Sequence, residues 1–349
     1  MRRLLAVLAI LLAAPAAAAD YPKPQEGNWV AKDFKFHTGE VMPELKLHYR
    51  TIGDPRNPVV LMLHGTAGSG ASLLTAGFAG ELFGAGQPLD ATKYFIVLPD
   101  GIGHGKSSKP SDGLKTKFPK YDYADMVDAH HRLLTEGLGI KRVRLVMGNS
   151  MGGMHAWLWA GMYPGFMDAA VPMASQPTPM AARNWMMRRL IIDTIKNDPD
   201  WHGGNYTSQP RSVQRAAVFY ATATSGGTLA YAKLAPTREA ADKMLDERLA
   251  APFTADANDY LYQWQSSGDY DPTPLLPRIT AKVLLINSAD DERNPPETGA
   301  AEQAMRQVKN GSVYLIPAST ETRGHGTTGN ATFYTKPLAE FLQGLPAVR

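Results

Sequence analysis

The most constraining feature of this sequence is a series of short apolar runs that alternate with segments of helical periodicity. The runs cover residues 59–63, 94–98, 143–147, 169–173, 283–287 and 313–317. Continuous rather than alternating hydrophobicity is typical of strands buried on both faces. Helical segments at 123–134, 152–162 and 338–345 separate or follow these runs. The pattern predicts an α/β fold whose mostly parallel sheet is covered by helices on both faces.

Two stretches depart from this alternation. Residues 33–52 alternate polar and apolar side chains around Gly39 and Pro43, which predicts a hairpin of two strands. Between 176 and 277 the strand runs stop, and the chain becomes helical and rich in Met and Trp. We interpret this stretch as a helical lid insertion above the carboxyl ends of the strands, where open α/β sheets bind their ligands. The core domain then consists of residues 20–175 and 278–349.

The first nineteen residues have the three parts of a secretory signal peptide. Arg2 and Arg3 supply the positive charge, residues 4–12 are apolar, and the alanines at 17–19 form a small-residue cleavage site. The apolar run is too short to span a bilayer, which takes about 20 residues. We therefore expect cleavage near Ala19 and a mature protein that works in the periplasm or outside the cell.

Composition excludes several classes of function. The chain contains no Cys, which excludes disulfides, thiolate metal sites and a cysteine nucleophile. The formal charge of +3 is too small to indicate a protein that binds polyanions. The histidines do not have the spacing of a metal-binding H-x-x-x-H or H-E-x-x-H pair. We therefore expect no metal, organic cofactor or nucleic acid, and a small molecule as partner, with a homodimer as one option.

The pentapeptide GNSMG at residues 148–152 carries the strongest chemical signal. It follows the predicted strand 143–147 and precedes a predicted helix, which is the setting of a nucleophile elbow. Gly148 and Gly152 stand two residues on either side of Ser150, where side chains would collide as the backbone reverses. The pattern G-x-S-x-G is weak by itself, but in this setting it predicts Ser150 as a nucleophile.

A serine hydroxyl needs a base to accept its proton and an acid to orient that base. His325 follows the last predicted strand, where a loop returns to the nucleophile's end of the sheet, and we predict it as the base. The chain order Ser, Asp, His requires an acid after the strand 283–287, and Asp290 and Asp291 both stand there. Adjacent residues point in different directions, so only one of them can serve.

Other residues are candidates for contacts with the substrate. The backbone N–H groups of Thr66 and Met151 are predicted to stabilise the negative charge that develops on a carbonyl oxygen. Large side chains near the start of the insertion can line an apolar acyl pocket or attach the insertion to the core. These are Met180, Trp185, Met186 and Met187. Nearby arginines can bind a substrate carboxylate or form a solvated helix face. These are Arg183, Arg188 and Arg189.

The sequence also resembles the α/β-hydrolase superfamily, and it is most similar to the homoserine O-acetyltransferase branch. The similarity runs from about Phe34 to Phe341 and is most specific in GNSMGGMHAWLWAGMYP, in the preceding DYADMVDAHHRLL and in NDPDWHGGNY. The branch carries its acid four residues before a Pro-Pro pair, which implies Asp291 rather than Asp290. The Gly-Gly-x-Tyr of the branch matches Tyr206, as a residue that reaches the site or packs at an interface.

The resemblance also shows two departures. In the branch the catalytic histidine stands in a Gly-His-Asp sequence, and that Asp helps to hold the amino group of homoserine. Residues 324–326 of this chain are Gly-His-Gly. The acetyl donor of the branch is a cytosolic coenzyme, which an exported protein does not meet. We therefore interpret the chain as a secreted serine esterase that passes an acyl group to water. The alternatives are an O-acyltransferase related to the branch and a catalytically silent binding protein on the same fold.

Overall fold

A computed structural model describes residues 20–347, and the predicted signal peptide lies outside the described residues. The strands are β1 Gln25–Lys35, β2 Val41–Ile52, β3 Val59–Leu63, β4 Phe95–Pro99, β5 Val143–Asn149, β6 Met167–Met173, β7 Lys282–Ser288 and β8 Gly311–Ile316. They form one sheet in the order β1-β2-β4-β3-β5-β6-β7-β8. β1 and β2, and β2 and β4, pair antiparallel, and every other neighbouring pair is parallel. The predicted α/β fold with a mostly parallel sheet is confirmed.

The described α-helices cover both faces of this sheet and fill the insertion. They are α1 Ala79–Leu82, α2 Tyr123–Arg132, α3 Met151–Met162, α4 Ala182–Lys196, α5 Arg211–Thr224, α6 Thr228–Leu234, α7 Arg238–Ala250, α8 Ala257–Gln265, α9 Ala300–Met305 and α10 Thr335–Gln343. None of these helices combines the length and the apolar character that crossing a membrane requires.

The central strands are apolar throughout because each face of the sheet has its own core. All five residues of β3 are buried. Leu61 and Leu63 join the apolar cluster that contains α2 and α3, whereas Val60 and Met62 join the cluster that contains α1 and α10. Successive side chains of a strand point to opposite faces, so a strand between two helical layers needs apolar residues at every position.

The first hairpin differs from its prediction in two places. β1 begins at Gln25, earlier than the alternating pattern indicates, and Pro43 lies inside β2 rather than in the turn. The pairing of the two strands skips Pro43 and the residue opposite it, Asp33, whose φ is 46°. A proline has no N–H to donate to a neighbouring strand, so an irregularity in the partner strand accommodates it.

Residues 176–277 contain α4 to α8, and all of this stretch is described, without a strand. α4, α5 and α8 pack around a separate apolar cluster that includes Ile195, Tyr220 and Trp264. α8 also attaches the insertion to the core, because Tyr262 donates to the carbonyl of Phe118 at 2.8 Å and Gln263 donates to the carbonyl of Gly103 at 2.7 Å. Gly103 follows β4, so α8 lies over the carboxyl end of the sheet.

Candidate active site

Ser150 stands in the sharp turn between β5 and α3. Its φ of 58° and ψ of −113° lie in a region that residues with a side chain rarely adopt. A Cβ atom on Gly148 would lie 2.2 Å from the carbonyl oxygen of Gly152, and a Cβ on Gly152 would lie 2.2 Å from that of Leu63. Both positions therefore require glycine, because neighbouring backbone occupies the space of a side chain. The turn leaves Ser150 at the carboxyl end of β5.

Three side chains from distant parts of the chain form a continuous series of hydrogen bonds. His325 Nε2 lies 2.8 Å from Ser150 Oγ, and His325 Nδ1 lies 2.9 Å from Asp291 Oδ2 and 3.1 Å from Oδ1. All three residues are buried. A proton on Nδ1 donates to the carboxylate, which leaves Nε2 as the acceptor for the serine proton. The structure thus brings together the residues predicted as nucleophile, base and acid.

Asp291 is surrounded by donors that keep it ionised. Asn294 Nδ2 donates to Oδ2 at 2.9 Å, and the backbone N–H groups of Arg293 and Asn294 donate to Oδ1 at 2.9 and 3.2 Å. Burial alone would raise the pKa of Asp291, but the His325 ring and these donors outweigh it and hold the pKa below its usual value. Asn294 is a site residue that the sequence reading missed.

His325 is held in its neutral form. Burial, and next the positive charge of Arg293, lower the pKa of His325, whereas Asp291 acts in the opposite direction. The net effect is a pKa below 6.5, the ordinary value of histidine. The imidazole is therefore uncharged at neutral pH, as a general base must be.

Asp290 contacts the backbone and side chains that lead into His325, whereas Asp291 contacts the imidazole. The Asp290 carboxylate accepts hydrogen bonds from the hydroxyl of Ser288, from Thr322 Oγ1 at 2.7 Å and from the N–H of Gly324 at 3.2 Å. Thr322 and Gly324 belong to the segment that leads into His325. Asp290 therefore holds the loop that carries the imidazole, while Asp291 contacts the imidazole itself.

The two residues predicted to form the oxyanion hole both lie in turns close to Ser150. Met151 is the first residue of α3, and the N–H groups of a first helical turn have no partner within the helix. Thr66 follows Gly65 in the turn after β3, and a Cβ on Gly65 would lie 3.5 Å from both Ser150 Cβ and the carbonyl oxygen of Asn149. The two predicted oxyanion-hole residues therefore lie on two sides of the serine turn.

His64 fixes the turn that precedes Thr66. Its Nδ1 donates to the carbonyl of Gly65 at 2.8 Å, and its Nε2 accepts the N–H of Gly101 at 3.0 Å. Burial lowers the pKa of His64 below its ordinary value. Because both ring nitrogens are used by the backbone, His64 supports the turn and takes no part in proton transfer.

The side chains predicted as substrate contacts mostly serve the packing of the insertion. Trp185 and Tyr206 pack against its apolar cluster, and the Tyr206 hydroxyl accepts the N–H of Asn258 at 3.1 Å. Met186 is 67% exposed, and its contact with an acyl group stays a prediction. Packing within the insertion accounts for the contacts of Trp185 and Tyr206, and α4 turns Met186 to solvent.

The three arginines of α4 have different surroundings. Arg189 pairs with Asp193 at 2.8 Å, and Arg183 donates to the carbonyl of Glu292 at 2.8 Å, both on the surface. Arg188 is completely buried. The prediction that Arg188 belongs to a solvated helix face is therefore wrong, because α4 directs that side chain toward α2 and α8 rather than toward water.

A cavity of about 520 Å³ lies near this group, although none of Ser150, Asp291 and His325 lines it. Its wall includes Asn294, which donates to Asp291, and Met154, whose N–H donates to the carbonyl of Ser150. Met180, predicted near an acyl pocket, also lines it. A cavity of this size can hold a small or medium organic molecule.

A different cluster offers groups that metal ions bind. Ligand atoms of His37, Asp122 and Asp125 lie within 4.8 Å of one another at the start of α2. Asp122 and Asp125 bond each other's backbone N–H groups as a capping box, and His37 Nδ1 lies 2.6 Å from Asp125. Bonds within the chain account for the arrangement of this group.

A family model described as "alpha/beta hydrolase fold" matches residues 58–317. The match includes Ser150 and Asp291 and ends shortly before His325. It also includes the whole insertion, from α4 to α8. More than half of the chain is therefore covered by one family description.

Two curated relatives are enzymes of acyl transfer by name. A "Probable acyltransferase" of Methanothermobacter thermautotrophicus is 26% identical over 321 residues, which cover 90% of this chain and 96% of that protein. A "Homoserine O-acetyltransferase" of Thermobifida fusca is 32% identical over 206 residues, which cover 54% of each chain. The chain thus spans about half the length of the second relative.

A solved structure shows how far the fold extends. The acetylester hydrolase of Corynebacterium glutamicum superimposes with a TM-score of 0.78 and 21% sequence identity, over 92% of this chain and 96% of that one. At this identity the similarity shows a common fold, which includes the insertion as well as the sheet.

Proposed function

Because the chain belongs to the α/β-hydrolase fold family, we propose that it is a secreted serine hydrolase that cleaves small or medium carboxylic esters. It is an enzyme of the acyltransferase or esterase type, and its homologues include homoserine O-acetyltransferases and esterases. One observation carries the finer proposal: the hydrogen bonds from Asp291 through His325 to Ser150, with Ser150 in a strained turn. Ser150 is the nucleophile, His325 the base and Asp291 the acid.

The reaction proceeds in two halves. In the first, His325 Nε2 takes the hydroxyl proton as Ser150 Oγ attacks the ester carbonyl, and the tetrahedral intermediate then expels the alcohol, which receives that proton from His325. In the second, His325 removes a proton from water, the hydroxide attacks the acyl-serine, and the carboxylic acid leaves as Ser150 regains its proton. Asp291 stabilises the imidazolium that forms in each half.

Charge on the carbonyl oxygen is stabilised by the N–H groups of Thr66 and Met151. A donor aimed at this position contributes about 3 kcal/mol to the stability of the transition state. The strained Ser150 turn and the His64 bonds hold these donors in place before substrate arrives. Donors fixed in this way need no rearrangement during the reaction.

Water is the proposed acceptor of the acyl group, and an alcohol is the second candidate. Gly326, next to the base, has no side chain that can hold an amino acceptor. The names of the relatives favour transfer, since one is a probable acyltransferase. Both reactions share the acyl-serine, so they differ only in the second half.

The experiment compares purified residues 20–349 with the Ser150→Ala variant on 4-nitrophenyl acetate and 4-nitrophenyl butyrate. We expect a burst of nitrophenol close to one equivalent of enzyme from the unmodified protein and no burst from Ser150→Ala. Adding L-homoserine or short alcohols then tests the acceptor by product mass. Free acid as the main product supports hydrolysis, an acylated acceptor as the main product supports the transferase, and no turnover on any ester supports a silent protein.

We also propose export, which rests on the sequence of residues 1–19. The full chain, produced in a bacterium with two membranes, is expected in the periplasmic fraction with Asp20 as its first residue. Recovery of uncleaved chain from the cytosol alone would contradict export without affecting the proposed chemistry.

A further inference from the structure

Two guanidinium groups near the proposed triad have no acidic partner. Arg188 is completely buried on α4, and Arg293 is partly buried two residues after Asp291. Within residues 20–347, neither arginine has a carboxylate oxygen within 4 Å. Burying a charge without a partner is unfavourable, so buried arginines are normally paired. An excess of positive charge therefore lies inside this part of the protein.

The two arginines pack against a cluster of two aromatic rings that meet edge to face. Arg188 Cζ is 5.1 Å from the centroid of the Trp264 ring, and Arg293 Cζ is 4.2 Å from that of Tyr220. The Trp264 and Tyr220 centroids are 4.7 Å apart. Cation–π contacts offset part of the loss of hydration, but they leave the net charge in place.

This cluster of two arginines and two aromatic rings adjoins the catalytic loops. The backbone N–H of Arg293 donates to Asp291, and Arg293 Nη2 donates to the hydroxyl of Ser225 at 2.8 Å. The carbonyl of Ser225 in turn lies 3.5 Å from the position of a Cβ on Gly326, next to His325. Both guanidinium groups are close enough to lower the pKa of His325. The excess charge is therefore felt at the reacting groups.

Two buried polar atoms of this cluster form no hydrogen bond with the described residues. Arg188 Nε donates to Asn184 at 2.9 Å and Nη1 donates to the Tyr123 hydroxyl at 3.4 Å, but Nη2 is buried without a partner among the described residues. The buried hydroxyl of Tyr220 also forms no well-aligned hydrogen bond there, although it lies next to the Arg188 guanidinium. Buried donors without partners are uncommon in proteins, and a bound water, ion or ligand can supply the missing acceptor.

We propose that Arg188, Tyr220 and Arg293 form a subsite for a carboxylate of the substrate, so that the preferred esters carry a negative charge. This inference rests on the proposed esterase function and adds the class of its substrate. A carboxylate supplies acceptors for Arg188 Nη2 and the Tyr220 hydroxyl, and its negative charge offsets one of the two positive charges. The carboxylate can belong to the acyl group or to the alcohol, and these two cases are separate arms of the test.

The test uses pairs of esters that differ only in charge. Monomethyl glutarate and methyl valerate form the acyl pair, because a terminal carboxylate in one replaces a terminal methyl in the other. 3-Acetoxypropanoate and propyl acetate form the alcohol pair. In at least one pair, we expect kcat/KM of the anionic ester to exceed that of the neutral ester by about 10-fold or more.

Variants assign this preference to the arginines. Arg188→Met and Arg293→Met remove the charge while keeping much of the volume, and each is expected to lower kcat/KM for the anionic ester by about 10- to 100-fold. In each variant, kcat/KM for the anionic ester is expected to fall at least about tenfold more than kcat/KM for the neutral ester, at a pH where His325 is neutral. Arg188→Lys should restore part of the preference. Arg189→Met on the exposed side of α4 is the matched control and should change neither ester.

Binding without turnover separates this inference from the proposed chemistry. Monomethyl glutarate or 3-acetoxypropanoate should raise the Tm of Ser150→Ala more than its neutral partner does, and Arg188→Met in the same background should abolish the difference. If this Tm shift occurs and the unmodified protein hydrolyses none of the esters, the subsite is supported and the esterase proposal fails. If the enzyme hydrolyses both members of each pair equally and the arginine variants behave like Arg189→Met, the arginines serve packing alone and the subsite is refuted.

Discussion

Asp290 and Asp291 are adjacent, yet their carboxylates contact different residues of one short loop. Asp291 Oδ2 lies 2.9 Å from His325 Nδ1. Asp290 accepts a hydrogen bond of 2.7 Å from the hydroxyl of Thr322, three residues before His325. One carboxylate orients the imidazole, and the other holds the loop that presents it. Adjacent acids therefore have separable roles in the proposed mechanism.

Neutral substitutions of the two acids should give different results. We expect Asp291→Asn to lower kcat by about 10³- to 10⁴-fold, because the amide no longer selects the tautomer in which Nε2 accepts the serine proton. Asp290→Asn should keep kcat within about tenfold and lower the free energy of unfolding by about 1–2 kcal/mol, through its bonds to Thr322 and Gly324. Ester hydrolysis and urea unfolding measure the two effects. Equal loss of activity in both variants would refute the assignment of Asp291.

The pH dependence of activity should report the environment of His325. Burial and Arg293 lower the pKa of His325. We therefore expect kcat/KM for a neutral ester to be independent of pH around pH 7 and to fall only below pH 6.5, as the ring becomes protonated. Arg293→Met should move this acid limb to higher pH, since it removes a positive charge near the ring. An acid limb above pH 7 in the unmodified protein would contradict a base of lowered pKa.

Buried neutral histidines should make the fold sensitive to acid. Burial lowers the pKa of His104 to about 3 and that of His130 to about 4. Below pH 6.5 the unfolded chain binds protons that the folded chain excludes, so stability is complete above 6.5 and falls as pH drops toward 4. Each such histidine contributes a slope of up to about 1.4 kcal/mol per pH unit. Chemical unfolding at several pH values measures it.

A substitution control assigns that slope to particular residues. His130→Gln should make the loss of stability between pH 6.5 and 4 shallower, because one buried proton acceptor is gone. The exposed His202, changed to Gln, should leave the slope as it is. Equal slopes for the unmodified protein and both variants would show that carboxylates, rather than buried imidazoles, dominate the acid transition.

The serine turn should not tolerate side chains on its glycines. Gly152→Ala places a Cβ 2.2 Å from the carbonyl oxygen of Leu63, and we expect it to lower the free energy of unfolding by about 2–4 kcal/mol and to abolish ester hydrolysis. Gly329→Ala meets no atom within 4 Å and should change stability by less than about 0.5 kcal/mol. Thermal unfolding of both variants measures the difference. A Gly152→Ala protein as stable and active as Gly329→Ala would contradict the packing of the turn.

Some of this structure was predictable from sequence because its cause is local. Residues 59–63 coincide with β3, since burial on both faces leaves a continuous apolar run. Ser150 was predictable because its turn needs glycine two residues before and after it. The sequence names Asp290 only as an alternative acid, because its bonds depend on a loop that the fold brings in from residues 322–324.

Arg188 shows the limit of reasoning from local pattern. Beside Arg189 on α4 it has the composition of a solvated helix face, and nothing within the helix distinguishes the two residues. Its burial depends on Tyr123 from α2 and Trp264 from α8, which are distant in sequence. Long-range packing thus turned a predicted surface charge into an internal one.

The most direct test of the proposed chemistry is reaction of purified residues 20–349 with a fluorophosphonate, followed by mass mapping of the adduct. We predict one adduct per chain, on Ser150, and at least a 10³-fold slower reaction in His325→Ala, because the hydroxyl is a poor nucleophile without its base. Ser150→Ala should not react. Absence of an adduct in the unmodified protein, or an adduct on a different residue, would contradict the assignment of Ser150 and His325 as nucleophile and base.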